Sequence, residues 1–128
     1  MPQDRTTGAA GNAFGHECGE KFAAVLGAVK LKKQSNECLL SGDRIVIKCA
    51  HQKTTSVGVL YDMLERLDAI VGAFEQKDGS YSLIRLSAKA YKGNTSVTQS
   101  HSRSAGRVGV VPRSVFYKDG TRIRSVHL

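Results

Sequence analysis

Apolar positions recur at steps of three and four from Phe14 through Cys18, Phe22, Val25, Leu26 and Val29. That spacing builds one apolar helix face and predicts a helix entered after an Asn12 N-cap and ending near Lys30. Glu17 falls at the edge of that face and Glu20 opposite it. Residues 1–13 are polar with Gly and Ala, show no period, and read as a flexible N-terminal arm. The period then changes to two. Glu37-Cys38-Leu39-Leu40 and Ile45-Val46-Ile47-Lys48-Cys49-Ala50 flank Gly42-Asp43, which predicts a hairpin with those two residues as its loop. In that register Leu39 faces Val46, Leu40 faces Ile45, and Glu37 faces Lys48. Both faces of the hairpin are largely apolar, as in strands covered on both sides.

Leu60, Met63, Leu64 and Leu67 return to a helical period, so a second helix is expected there, capped by Thr55 or Ser56. Two runs around Asp78-Gly79 predict a second hairpin, with Phe74 opposite Leu83 and Ala73 opposite Ile84. Ser87 to Lys92 suits one or two helical turns. Residues 93–107 are rich in Ser and Thr and predict a mobile basic loop. The stretch 108–128 predicts a C-terminal β-hairpin turning at Asp119-Gly120, with Phe116 opposite Ile123, and Tyr117, Arg122 and Arg124 on one face. The expected organisation is an arm followed by one domain over 14–128, with a core at 14–92. The expected class is α+β or mixed α/β: a central mixed sheet built from hairpins, with helices packed on it.

Length and composition narrow the functional classes. A chain of 128 residues with 41% apolar residues suits one folded domain. No apolar run approaches the ~18 residues of a membrane span, and the polar start shows no secretory signal. Three cysteines without a Cys-x-x-Cys pair exclude a zinc ribbon and fit reduced thiols in a cytoplasmic protein. The four histidines show no metal-ligand spacing. The net charge of +8 is unevenly placed. After residue 86 stand Lys89, Lys92, Arg103, Arg107, Arg113, Lys118, Arg122 and Arg124 against the single acid Asp119, so that third carries +7. Like charge at that density repels itself and favours a polyanion partner. Tyr117 among the arginines adds a ring for stacking.

The first hairpin and the helix before it carry the candidate chemistry. Glu37 opposite Lys48 on an otherwise apolar strand pair, with Glu17 available from the helix, has the makings of a divalent-ion site with a lysine to orient water or phosphate. The order of helix with glutamate, acid-bearing strand, turn, strand ending in lysine, helix and strand over about residues 14–86 resembles the restriction-endonuclease-like superfamily, the PD-(D/E)xK nucleases. The resemblance implies a restriction-endonuclease-like core, catalytic roles for Glu37 and Lys48, and Mg²⁺ held by Glu37 and Glu17. The match departs from the family pattern at Val46, where an acid should stand two residues before the lysine, and Asp43 falls in the turn. Glu17 or Glu20 then replaces the missing ligand, or the chain has kept binding and lost cutting. Against this stands an ordinary cross-strand ion pair, which contributes about 0.2–1 kcal/mol.

The expectation is a protein that binds nucleic acid, DNA ahead of RNA. It is either a metal-dependent endonuclease or a binding-only descendant, and a homodimer would match two strands. Lys89, Lys92, Arg103, Arg107, Arg113, Tyr117, Arg122 and Arg124 are the expected nucleic-acid contacts. The alternative is a non-enzymatic protein-interaction or adaptor domain with a basic face; an RNA-binding module ranks behind both.

Overall fold

The structure is a computed structural model and describes residues 15, 17–31, 36–97 and 107–127. The expected N-terminal arm, Phe14 and Arg103 lie outside the described residues. Helix α1 (17–26) is followed by β1 (Val29–Lys30), β2 (Glu37–Leu40) and β3 (Asp43–Ala50). Then come β4 (Ser56–Leu60), α2 (Tyr61–Leu64), β5 (Ala69–Glu75), β6 (Tyr81–Ser87) and α3 (Ala88–Gly93). The chain closes with β7 (Ser96–Val97), β8 (Val108–Pro112), α4 (Arg113–Asp119) and β9 (Thr121–Val126).

Among the described residues these strands form two sheets. The larger has six strands in the order β1-β2-β3-β5-β6-β9, and the smaller has the order β4-β8-β7. The large sheet is mixed, because β3 and β5 run parallel while every other neighbouring pair is antiparallel. The fold is therefore mixed α+β, with a central sheet and helices packed on it. Both faces of the large sheet are covered, as the apolar alternation requires. On one face Val46, Ile70, Phe74, Ile84 and Leu86 meet Val57, Val59 and Val111 of the small sheet, with Leu64, Tyr91 and Phe116 from α2, α3 and α4. On the other face Ile45, Ile47, Val71 and Leu83 meet Cys18, Phe22 and Ala23 of α1. Among the described residues no helix is long and apolar enough to cross a membrane.

Several expected boundaries move, each for a local reason. The first helix ends at Gly27, not near Lys30. Gly27 takes φ +73°, and the amides of Gly27 and Ala28 reach back to the carbonyls of Ala24 and Ala23. This is a left-handed cap that satisfies the last helical carbonyls. The first hairpin turns on Ser41-Gly42, at φ 51° and 87°, instead of on Gly42-Asp43. A two-residue loop of that type needs positive φ at both positions, and the second is the glycine. The pairing shifts accordingly: Glu37 faces Val46, Cys38 faces Ile45 and Leu40 faces Asp43.

The expected helix over 55–67 forms only in part: its first half is strand and its middle is helix α2. Val57 and Val59 alternate inward around Gly58, and only one helical turn follows at α2. The second hairpin forms, but its loop runs from Gln76 to Ser80, so Phe74 faces Ser82 and Ala73 faces Leu83. The helical turns after Ser87 form as α3, and the Ser87 side chain accepts from the Ala90 amide as an N-cap. The largest departure is at the C-terminus. The expected hairpin is instead a helix, α4, followed by an edge strand, β9. As a helix, Arg113–Asp119 drops Phe116 edge-on against Phe74 and Tyr91 in the core, with Val115 packed on the same cluster. Burying a side chain of that size is worth roughly 1.5–3 kcal/mol, more than the local preference for strand. Within the expected 93–107 loop, Ser96–Val97 pairs with β8 as β7, and residues 98–106 lie outside the described residues.

Candidate nucleic-acid interface

Glu37 opens β2 and, because it pairs with Val46, projects into the core face lined by Val46 and Ile70. It is 1% exposed. A buried carboxylate needs charge partners, and it has them. Arg66, just beyond α2, donates from Nε to Oε2 at 3.1 Å and from Nη2 to Oε1 at 2.5 Å, and Arg44 donates from Nε to Oε2 at 3.2 Å. The hydrogen bonds from Arg66 lead in holding the Glu37 carboxyl below its ordinary range, with Arg44 adding to them against the opposing effect of burial. Arg44 is itself anchored, its amide donating to the Asp68 carboxylate at 2.8 Å. Glu37 therefore ties the first hairpin to the segment after α2.

The expected pairing of Glu37 with Lys48 does not form. Lys48 lies two residues past Val46 and beside Gly72 of β5. It is half-buried, burial lowers its pKa, and no carboxylate among the described residues pairs with it. Glu17 is exposed on α1, which covers the opposite face of the sheet. The sheet itself stands between Glu17 and Glu37. Glu20 pairs with Lys30 at 3.6 Å, and Asp43 pairs with Arg85 at 2.6 Å. Among the described residues no three His, Cys, Asp or Glu side chains converge as metal ligands. The residues present thus do not fit the expected Mg²⁺ centre: both oxygens of Glu37 already hold guanidinium groups, and its intended partners lie elsewhere. Burial pushes the thiols of Cys18, Cys38 and Cys49 up, so none offers a ready thiolate.

The basic residues after position 86 divide into three groups. Lys89 and Lys92 are exposed on α3, opposite Tyr91, which is fully buried with its hydroxyl 2.8 Å from the carbonyl oxygens of both Val57 and Gly109. Arg107, Lys118 and Arg122 are also exposed. None of these five has a carboxylate partner among the described residues, where every ion pair uses a basic residue no later than Arg85. Arg113 has a different role. Its Nη1 donates to the carbonyls of His51, Gln52 and Thr54, its Nη2 to Glu75, and its Nε to the Tyr117 hydroxyl. Its guanidinium also sits 5.0 Å above the Phe74 ring. Every arm of this fork is taken up in holding α4 to the ends of β3 and β5. Arg124 forms the third group. It faces Leu83 and donates to the Val25 carbonyl at 3.0 Å, on the α1 side of the sheet.

Arg122 instead faces Ile84, on the α4 side. There it lines a groove of about 440 Å³ with Ile84, Phe116, Tyr117 and Gly120. Tyr117 also lines a second groove of about 640 Å³, mostly apolar, with Thr55, Ser56, Val110, Pro112 and Ser114. Tyr117 is therefore the ridge between two recesses, 44% exposed. Its hydroxyl accepts from Arg113 Nε at 2.8 Å and from Gln76 Nε2 at 3.2 Å, and its ring centre lies 5.5 Å from that of Phe74. The structure unites Tyr117 and Arg122, as expected, but through a helix and a strand, and it sends Arg124 to the other face. Gln76 and Phe74 were missed as supports of the tyrosine. The i, i+4 spacing of Arg113 and Tyr117 was the available signal, legible only once the segment is read as helix. No family model, curated protein or solved structure matches the chain.

Proposed function

We propose that the chain binds nucleic acid, DNA in the first instance, through the surface formed by α3, α4, β9 and the start of β8. One observation carries the reading. Lys89, Lys92, Arg107, Lys118 and Arg122 are exposed cations without a carboxylate partner among the described residues, where the acids that form ion pairs, Glu20, Glu37, Asp43 and Glu75, pair with basic residues no later than Arg85. Unneutralised charge of one sign costs self-repulsion, and a phosphate backbone relieves it by releasing counterions. The order of elements that resembles the restriction-endonuclease-like superfamily supports the same class of partner. The reading is one of binding: with Glu37 held by two arginines, no cleavage step is assigned to it.

Fluorescence anisotropy with labelled DNA and RNA of one sequence tests this across a salt series. Binding is expected at low salt and should weaken linearly in log–log form, by about 0.7–0.9 per phosphate contact. Arg122→Glu should weaken binding and flatten that slope. Lys21→Glu, the same charge change on exposed α1, should leave both nearly unchanged. Absence of binding at low salt, or equal losses in the two variants, overturns the proposal.

A further inference from the structure

The surface offers more than charge. Tyr117 stands between the recess that ends in Arg122 and the mostly apolar recess beside Thr55, Ser56 and Pro112. Its orientation is fixed at both ends, the hydroxyl by Arg113 and Gln76, the ring by Phe74 and the Arg113 guanidinium 5.7 Å from its centre. An exposed side chain held this firmly loses little freedom on meeting a ligand. A ligand recognised by phosphate alone makes no use of an aromatic ridge or an apolar recess. A duplex hides its base faces in its own stack. An unpaired strand presents flat apolar bases along a charged backbone, and that matches a ring flanked by an apolar recess on one side and a cation on the other.

We infer, resting on the nucleic-acid reading above, that the ligand is an unpaired segment of strand. One base stacks on Tyr117, a neighbouring base on one side enters the recess by Pro112, and the backbone continuing on the other side meets Arg122. The hydroxyls of Thr55 and Ser56, both exposed at the mouth of that recess, are placed to meet a base edge or sugar.

The experiment compares a short labelled single strand with the duplex of the same sequence at low salt. The single strand is expected to bind about 10-fold more tightly, and Tyr117→Ala should weaken it about 10-fold while changing duplex binding little. Tyr117→Phe keeps the ring and should restore most of the affinity. The chain contains no tryptophan, so Tyr117→Trp places its one tryptophan at the ridge, where it can be excited selectively over the remaining tyrosines. Single strand should quench that fluorescence and duplex should not, a readout that does not depend on the alanine variant folding. Equal affinity for both forms, equal losses on Tyr117→Ala, or equal quenching overturns this inference and leaves the basic-surface reading intact. Failure of both forms to bind at low salt overturns the basic-surface reading instead.

Discussion

Replacing Tyr91 with phenylalanine removes one oxygen from the centre of the molecule. The ring of Tyr91 is fully buried beside Phe116, with ring centres 6.2 Å apart, and its volume is almost unchanged by the substitution. The hydroxyl lies 2.8 Å from the carbonyl oxygens of Val57 in β4 and Gly109 in β8. It therefore anchors α3 to two strands of the small sheet. A buried hydrogen bond contributes about 0.5–1.5 kcal/mol, and a buried acceptor left without a donor costs about 1–3 kcal/mol. The hydroxyl has one proton to share between the two carbonyls, so the lower parts of these ranges apply and the loss comes to about 2 kcal/mol. With a urea m-value of about 2 kcal/mol/M, the unfolding midpoint should fall by about 1 M with the slope unchanged. Amide exchange should quicken first in β4 and β8, before β3 and β5. A loss below about 0.5 kcal/mol would show that the hydroxyl bears no weight in joining the helix to the small sheet.

Arg113→Lys keeps the charge but cannot reproduce the fork that reaches four carbonyls and the Tyr117 hydroxyl; it should cost about 1 kcal/mol in urea unfolding and weaken single-strand binding by loosening Tyr117. Tyr81 is buried and its pKa is pushed from an ordinary 10.0 up to about 12, first by burial. Its contribution is fully present below pH 10 and is lost as pH rises through about 12, which ultraviolet titration beside circular dichroism will follow. Glu37 has the opposite sign: its lowered pKa stabilises the fold above the ordinary 4.5, and that stabilisation is lost as pH falls through the lowered value. Glu37→Gln should therefore flatten the stability profile below pH 4.5, and an unchanged acid limb would refute the guanidinium pairing.

Local chemistry made some elements legible and left others hidden. The helical face of Cys18 and Phe22, the two hairpins and the helical turns after Ser87 all depend on neighbours close in sequence, and the structure contains them. The parallel contact of β3 with β5 and the pairing of β4 with β8 join residues far apart, and no local period announces them. Short alternating runs are the ambiguous case. The sequence pattern places Ser56–Leu60 in a helix and Arg113–Asp119 in a strand, but five to seven residues satisfy either period and distant packing decides. The candidate site shared that weakness. A one-residue change in the loop of the first hairpin moved Glu37 from Lys48 to Val46 and handed its carboxylate to Arg66 and Arg44. The basic surface was more legible, since charge density needs no register; only the division among Arg113, Arg122 and Arg124 required coordinates.

The small sheet has a consequence for how the chain divides. Its strand β4 is the crossover between β3 and β5, yet its only ladder partner among the described residues is β8, after residue 107. The final segment also supplies Val111 and Phe116 to the core and β9 to the large sheet. The described part of residues 17–92 therefore shares its core and both of its sheets with the final segment. Split after Val97, the two fragments would each expose surfaces that only the other covers, so they should be insoluble or unfolded apart and regain structure when mixed, as a complementing pair.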